Sequence, residues 1–234
     1  MALKILKGSE VKPSTVGIKC LLYGNSGTGK TYLLSSVKNA FYIDTEGGVT
    51  GGRGLDESCA YVHITTYSEF EEAIRLYENE LKSQYPNLVI DSFTQLEVLL
   101  KAEKIENKGG AMLRINDYGE IFNELFVQIQ KLRDLSKNFF LSCRAKEGGI
   151  EDYQYFVPEL MSKVEKQLVA LMDFVGFVQV VKMSDGQFKR VLTFDIVPYA
   201  LTKARTGMIT PKKLTFELAP DTTLQTVFEE MGVK

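Results

Sequence analysis

Apolar and polar positions along the 234-residue chain fall into two alternating textures. Short, nearly unbroken apolar runs, IKCLLY (18–23), AFYID (40–44), NLVIDS (87–92) and NFFLSC (138–143), are bounded by glycine or polar turns and read as strands buried on both faces. YVHIT (61–65) alternates and adds another strand. Helical-period stretches lie between them. They predict a helix over about 30–38, a second over 68–83 opened by a capping box of Ser68 and Glu71, a third over 93–105, and a long one over 117–137 capped by Asp117. Strands alternating with helices predict an α/β fold: a mainly parallel central sheet with helices on both faces.

The last third breaks this rhythm. DFVGFVQVV (173–181) and FKRVLTFDIV (188–197) flank Asp185-Gly186, the turn chemistry of a hairpin, so an antiparallel C-terminal extension is expected at one sheet edge. KKLTFEL (212–218) reads as a short strand and TTLQTVFEEMG (222–232) as a closing helix. No repeat, low-complexity tract or long linker divides the chain, and the expected organisation is one domain over residues 1–234.

Composition narrows the chemistry. A chain that is 44% hydrophobic buries one sizeable core. Its net charge of −2, from 28 basic and 30 acidic residues, excludes a chain-wide positive field for nucleic acid, so any such contact must be local. Cys20, Cys59 and Cys143 are odd in number and far apart, which argues against a disulfide framework or a zinc site and for a reducing cytoplasm. No signal peptide or membrane-length apolar run is read, so no membrane partner is expected. The single histidine, His63, is read as a strand residue.

One motif carries explicit chemistry. Gly24-Asn25-Ser26-Gly27-Thr28-Gly29-Lys30-Thr31 fits the complete P-loop pattern between an expected strand and an expected helix. Its glycines let successive N–H groups turn toward phosphate oxygens, and the following helix presents its positive end. Lys30 would reach the β- and γ-phosphates and the Thr31 hydroxyl would ligate Mg²⁺. Asp91, at the end of LVID, is the candidate for the second metal contact, against the alternative of an acid that caps the next helix. Many P-loop ATPases place a glutamate directly after that aspartate, but here the residue is Ser92. The candidate base is therefore Glu46, released from the end of FYID into a glycine-rich loop, with Asp44 as its rival.

GNSGTGKT, FYIDTEGG and LVIDS, in this order, resemble the RecA/RadA recombinase ATPase core, over roughly residues 15–205. Within that group the chain is similar to phage-encoded RecA-like nucleotide-binding proteins, which serve as minimal recombinases or as partners of single-strand annealing. The resemblance implies a RecA-like P-loop NTPase fold, ATP and Mg²⁺ as ligands, and Glu46 as catalytic base. It further implies a homo-oligomeric ring or filament in the host cytoplasm, single-stranded DNA as substrate, and an annealing or single-strand-binding protein as partner.

DNA-facing loops of that family fall here at 104–116, with Lys104, Lys108 and Arg114, and at 144–159, with Arg144, Lys146, Tyr153, Tyr155 and Phe156. Cations beside aromatic rings suit unpaired strands, although Glu147, Glu151 and Asp152 share the second segment. The family's polar sensor position holds Ser142 and Cys143, a departure that leaves Arg144 or Lys146 as stand-ins. Lys203 and Arg205 in ALTKARTGMI resemble the paired fingers that such ATPases insert into a neighbour's nucleotide, where they would act catalytically. The competing reading is a KaiC-like switch, in which ATP regulates a protein partner without DNA.

Overall fold

The structure is a computed structural model that describes residues 17–51, 53–150, 153–209 and 213–233, with Ile150, Tyr153 and Thr206 described as backbone alone. Its parallel strands are β1 (Lys19–Gly24), β2 (Ala40–Asp44), β3 (Ala60–His63), β4 (Asn87–Asp91), β5 (Asn138–Ile150) and β7 (Phe174–Lys182). They lie in the order β7-β1-β5-β4-β2-β3. Antiparallel strands extend the β7 side. β8 (Phe188–Thr193) pairs with the outer half of β7, β9 (Lys203–Ala204) with its first residues, and β10 (Thr215–Glu217) with β8. The expected fold class is therefore observed: an α/β sheet, parallel at its centre, with an antiparallel C-terminal extension.

Strand periodicity divides the core. In β1, Leu21 and Tyr23 face one side of the sheet and Cys20 and Leu22 the other, all fully buried. The first side is covered by α2 (Tyr67–Leu76), α3 (Phe93–Asn107), α4 (Ile115–Leu135) and α5 (Ser162–Leu171), through residues such as Phe70, Leu96, Leu125 and Leu168. The second is covered by α1 (Lys30–Leu34) and α6 (Leu224–Met231), through Leu33, Leu34, Val227 and Phe228. Among the described residues no helix is long and apolar enough to cross a membrane.

Several elements differ from their expected form. α1 stops at Leu34, short of the expected Lys38. α2 begins one residue early, at Tyr67: its cap is Thr66, two residues before Ser68, and its capping box closes with Glu69, so the Ser68–Glu71 pair plays no such part. Asp117 is not the cap of α4 but its third residue, where its carboxylate accepts from the backbone N of Arg114 and from Lys108 Nζ. α5 was not anticipated, because its short polar-rich stretch lies between a hairpin and a strand.

The largest correction concerns residues 144–159. They are not a loop. β5 continues outward as an unbroken 13-residue strand and pairs antiparallel with β6 (Tyr153–Pro158), from Ala145 opposite Pro158 to Ile150 opposite Tyr153. Glu151 and Asp152 lie outside the described residues.

Candidate nucleotide site

β1 ends at Gly24, where a side chain would force the sheet to shift: a Cβ there would come within 2.1 Å of the Val178 carbonyl oxygen. The chain then turns through Gly27 (φ 76°) and Gly29 (φ 106°), both in the left-handed region, before α1 begins at Lys30. Thr28 Oγ1 donates to Asn25 O at 2.8 Å and ties the turn internally. Lys30 Nζ lies across the mouth of the loop, donating to Gly24 O and Asn25 O at 2.9 Å each. Burial pushes its pKa down, opposed by the charges of Asp91 and Glu46. Its ammonium is thus parked on loop carbonyls, a short swing from where phosphate oxygens would sit.

The acids expected near this loop do converge on it. Asp91 is buried, and its carboxylate accepts from Tyr42 Oη at 2.8 Å and from Ser142 Oγ, with Thr31 in the same cavity wall. Burial pushes its pKa up while these donors pull it down. Ser142 therefore orients Asp91, a role that its place in an apolar strand did not reveal. The peptide bond between Asp91 and Ser92 is cis.

Asp44 and Glu46 separate into two roles. Asp44 is buried and spends its carboxylate on the loop that follows it, accepting from the backbone N of Glu46 (3.0 Å), Gly47 (2.8 Å) and Val49 (3.3 Å) and from Tyr61 Oη (3.2 Å). Glu46 is left facing the cavity. Its Oε1 accepts from Ser92 Oγ at 2.6 Å and lies 3.6 Å from an Arg144 guanidinium nitrogen.

Arg144 stands opposite Gly24 in the β1–β5 register and divides its guanidinium between Glu46 and Glu159, whose Oε2 is 2.8 Å from Nε. Cys143, just before it, is a buried thiol whose pKa burial raises to about 12, so it offers no charge to the site. Ser26, Gly27, Lys30, Thr31, Glu46, Asp91 and Arg144 line one cavity of about 510 Å³.

The remaining wall was not foreseen. It comes from Tyr32 on α1, Arg190 on β8 and the segment 218–220 after β10. Tyr32 Oη donates to Pro220 O, and the Arg53 guanidinium lies 4.2 Å above the Tyr32 ring while donating to Pro220 O (3.0 Å) and Thr222 O (3.2 Å). No local motif could signal this wall, because its parts are separated by up to 188 residues.

The expected DNA-facing and finger residues are placed as follows. Lys104 lies on α3, 2.9 Å from Glu124; Lys108 pairs with Asp117; Lys146 donates to Leu160 O and lies 3.9 Å from Glu165. Arg114 is exposed at the start of α4. Phe156 is half-buried: its ring stacks on Phe177 at 5.3 Å and packs against the core. Tyr155 is half-buried, and the Tyr153 side chain lies outside the described residues. Lys203 pairs with Val175 near the first residue of β7, whereas Gly24 of the phosphate loop abuts Val178 at its middle, and Arg205 follows on the side away from the loop. Lys203 Nζ donates to the last carbonyls of α5, Val169 (3.0 Å) and Ala170 (3.1 Å), while Arg205 Nε is 2.8 Å from Asp173.

Among the described residues no group of three or more His, Cys, Asp or Glu is placed to hold a metal alone. The donors present, the Asp91 carboxylate and the Thr31 hydroxyl in one cavity wall, fit a hard cation that takes its remaining ligands from phosphate and water.

Solved structures similar to the chain include the RadB recombinase, at 18% identity over 76% of this chain and 80% of that one, with a TM-score of 0.48. The flagellar accessory protein FlaH from Methanocaldococcus jannaschii is similar at 12% identity over 82% and 84%, with a TM-score of 0.46. No curated protein matches the chain. The model of a family described as the AAA domain matches residues 16–206, most of the chain and every phosphate-facing residue described above. The chain therefore belongs to this AAA-domain family of P-loop ATPases.

Proposed function

We propose that the protein is a Mg²⁺-dependent ATPase of RecA type that acts on single-stranded DNA in recombination or annealing, as a ring or filament. The observation that carries the ATPase reading is the convergence of Lys30, Thr31, Asp91 and Glu46 on the cavity behind the phosphate loop. Thr31 and Asp91 would hold the metal, which supplies charge neutralisation at the phosphates when bound. Lys30 exchanges its loop carbonyls for phosphate oxygens. Glu46, exposed to the cavity yet steered by Ser92, orients the attacking water and accepts its proton. Arg144 is the cation able to follow the charge of the terminal phosphate, because its bond to Glu159 is partly exposed and exchangeable.

Lys203 and Arg205 would complete a neighbour's site after giving up their own-chain partners. Arg205 is the better placed, with its side chain half-exposed, whereas Lys203 caps a helix. Steady-state ATP hydrolysis with and without single-stranded DNA, with Lys30→Ala as blank, tests the reading. Hydrolysis absent from Lys30→Ala and stimulated by DNA supports it.

A second reading, a nucleotide-dependent switch for a protein partner, is favoured by one observation. Lys104, Lys108, Arg144 and Lys146 all have carboxylates of this chain beside them, which reduces the charge they offer to phosphates. Hydrolysis indifferent to DNA, with no salt-sensitive oligonucleotide binding, would select it.

A further inference from the structure

We infer that the unforeseen wall of the cavity, formed by Tyr32, Arg190 and residues 218–220, is a nucleobase subsite that grips the face of a base without reading its edge, so that the protein accepts adenine and guanine nucleoside triphosphates alike. This rests on the reading of the phosphate loop given above.

Position comes first. Tyr32 directly follows the phosphate loop and lines the same cavity, so a base attached to a phosphate chain on Gly27–Thr31 has this ring within the space open to it. Arg190 approaches from the other side: its Cδ would be 3.4 Å from a Cβ built on Gly29. Leu218, Ala219 and Pro220 close the end. These residues offer flat or apolar surface: the phenol ring on the side that Arg53 leaves uncovered, a guanidinium plane, a leucine, an alanine and a proline. Arg190 is exposed and has no ion pair among the described residues, so its planar cation is available to lie on a π-face.

The hydrogen-bonding groups of this wall are largely spoken for. Leu218 N donates to Arg190 O at 2.8 Å, and Ala219 N to Thr222 Oγ1 at 2.9 Å. Pro220 has no N–H, and its carbonyl already accepts from Tyr32 Oη and Arg53. Thr222 N is bonded to Ala219 O at 3.0 Å, and Thr222 O accepts from Arg53 at 3.2 Å. Distinguishing a 6-amino from a 6-oxo purine requires a donor or acceptor that one base satisfies and the other leaves unpaired. The bonded atoms of Tyr32, Ala219, Pro220 and Thr222 lack that instrument, and the one group with unpaired donors, the Arg190 guanidinium, is assigned to the face of the base rather than to its edge. Stacking, which every base supports, remains.

The test is equilibrium binding of the full chain, with Mg²⁺, to the non-hydrolysable analogues AMP-PNP and GMP-PNP and to inorganic tripolyphosphate. The inference expects the two nucleotides to bind within about 5-fold of each other and both at least about 10-fold tighter than tripolyphosphate. A preference of about 100-fold for one purine overturns it, as does tripolyphosphate binding as tightly as the nucleotides.

Arg190→Ala, an exposed change, is expected to weaken both nucleotides by a similar factor and leave tripolyphosphate unchanged. Equal weakening of tripolyphosphate would make Arg190 a phosphate ligand and remove it from the subsite. If none of the three ligands binds, the phosphate-loop reading itself falls and takes the subsite with it, an outcome distinct from selective binding of one base.

Discussion

The Ser92 hydroxyl donates to Glu46 Oε1 at 2.6 Å, across the gap between the ends of β4 and β2. Ser92 occupies the position at which many P-loop ATPases carry their glutamate, and it aims a glutamate supplied by the neighbouring strand. The same hydroxyl accepts from Gln95 N at 3.3 Å, so the start of α3 fixes it in turn. Glu46→Gln is therefore expected to bind ATP but hydrolyse it at least about 100-fold more slowly. Single-turnover hydrolysis beside equilibrium binding checks this, and turnover equal to the unmodified protein removes Glu46 from the chemistry.

Ser92→Ala separates aim from identity. The carboxylate stays but loses its guide, and kcat is expected to fall several-fold with KM nearly unchanged. A change confined to KM would place Ser92 in substrate binding instead.

Arg144 and Glu159 form a partly exposed pair, so breaking it should cost less than about 1 kcal/mol of stability. Hydrolysis should respond more strongly. Glu159→Gln releases the guanidinium toward Glu46 and the cavity, whereas Arg144→Ala removes it, so the two variants are expected to change kcat in different measure at almost the same melting temperature. Identical kinetics in both would show that Arg144 does not act on the site.

Gly24→Ala tests the close approach beneath the phosphate loop. The added methyl meets a carbonyl of β7 that cannot withdraw without parting the sheet, so a loss of about 1–3 kcal/mol or more in a urea titration is expected, with nucleotide binding impaired. Unchanged stability would mean that the sheet yields there.

Lys19 gives a pH dependence of known sign. Its ammonium is buried on Ser136 O (2.8 Å) and Lys137 O (2.9 Å) at the end of α4, and burial lowers its pKa from 10.5 to about 8. Between these values the unfolded chain holds a proton that the folded chain has released, so this group makes stability rise with pH across that window. Lys19→Met removes the titration. The difference in urea midpoint between the two proteins should shift in favour of the unmodified one from pH 7.5 to pH 9.5, and a constant difference would reject the shift.

Legibility in the sequence followed the range of the interactions. Strands such as AFYID were readable because burial on both faces writes itself into consecutive residues, and β2 begins and ends where that run does. The start of α2 was misread because TYSEFE contains two overlapping capping patterns, and only the end of β3 decides in favour of Thr66. The second expected loop became a hairpin because Gly148 and Gly149, which suggest a break, sit inside a paired strand; a Cβ on Gly148 would press against Val157 at 3.1 Å. Within the site, the phosphate loop and each of its acids are written in a few consecutive residues, and the fold brings them to one cavity. Arg53, Arg190 and Pro220 carry no signal until the sheet has brought them together.

The continuity of β5 has a mechanical consequence. The strand pairs with β1 up to Arg144 opposite Gly24, and from the next residue the same backbone forms the outer hairpin with β6. No joint separates the two stretches. The outer hairpin is thus joined by one continuous strand to the residue abreast of the first glycine of the phosphate loop, so any displacement of its base and any change in the register of that loop share a single backbone.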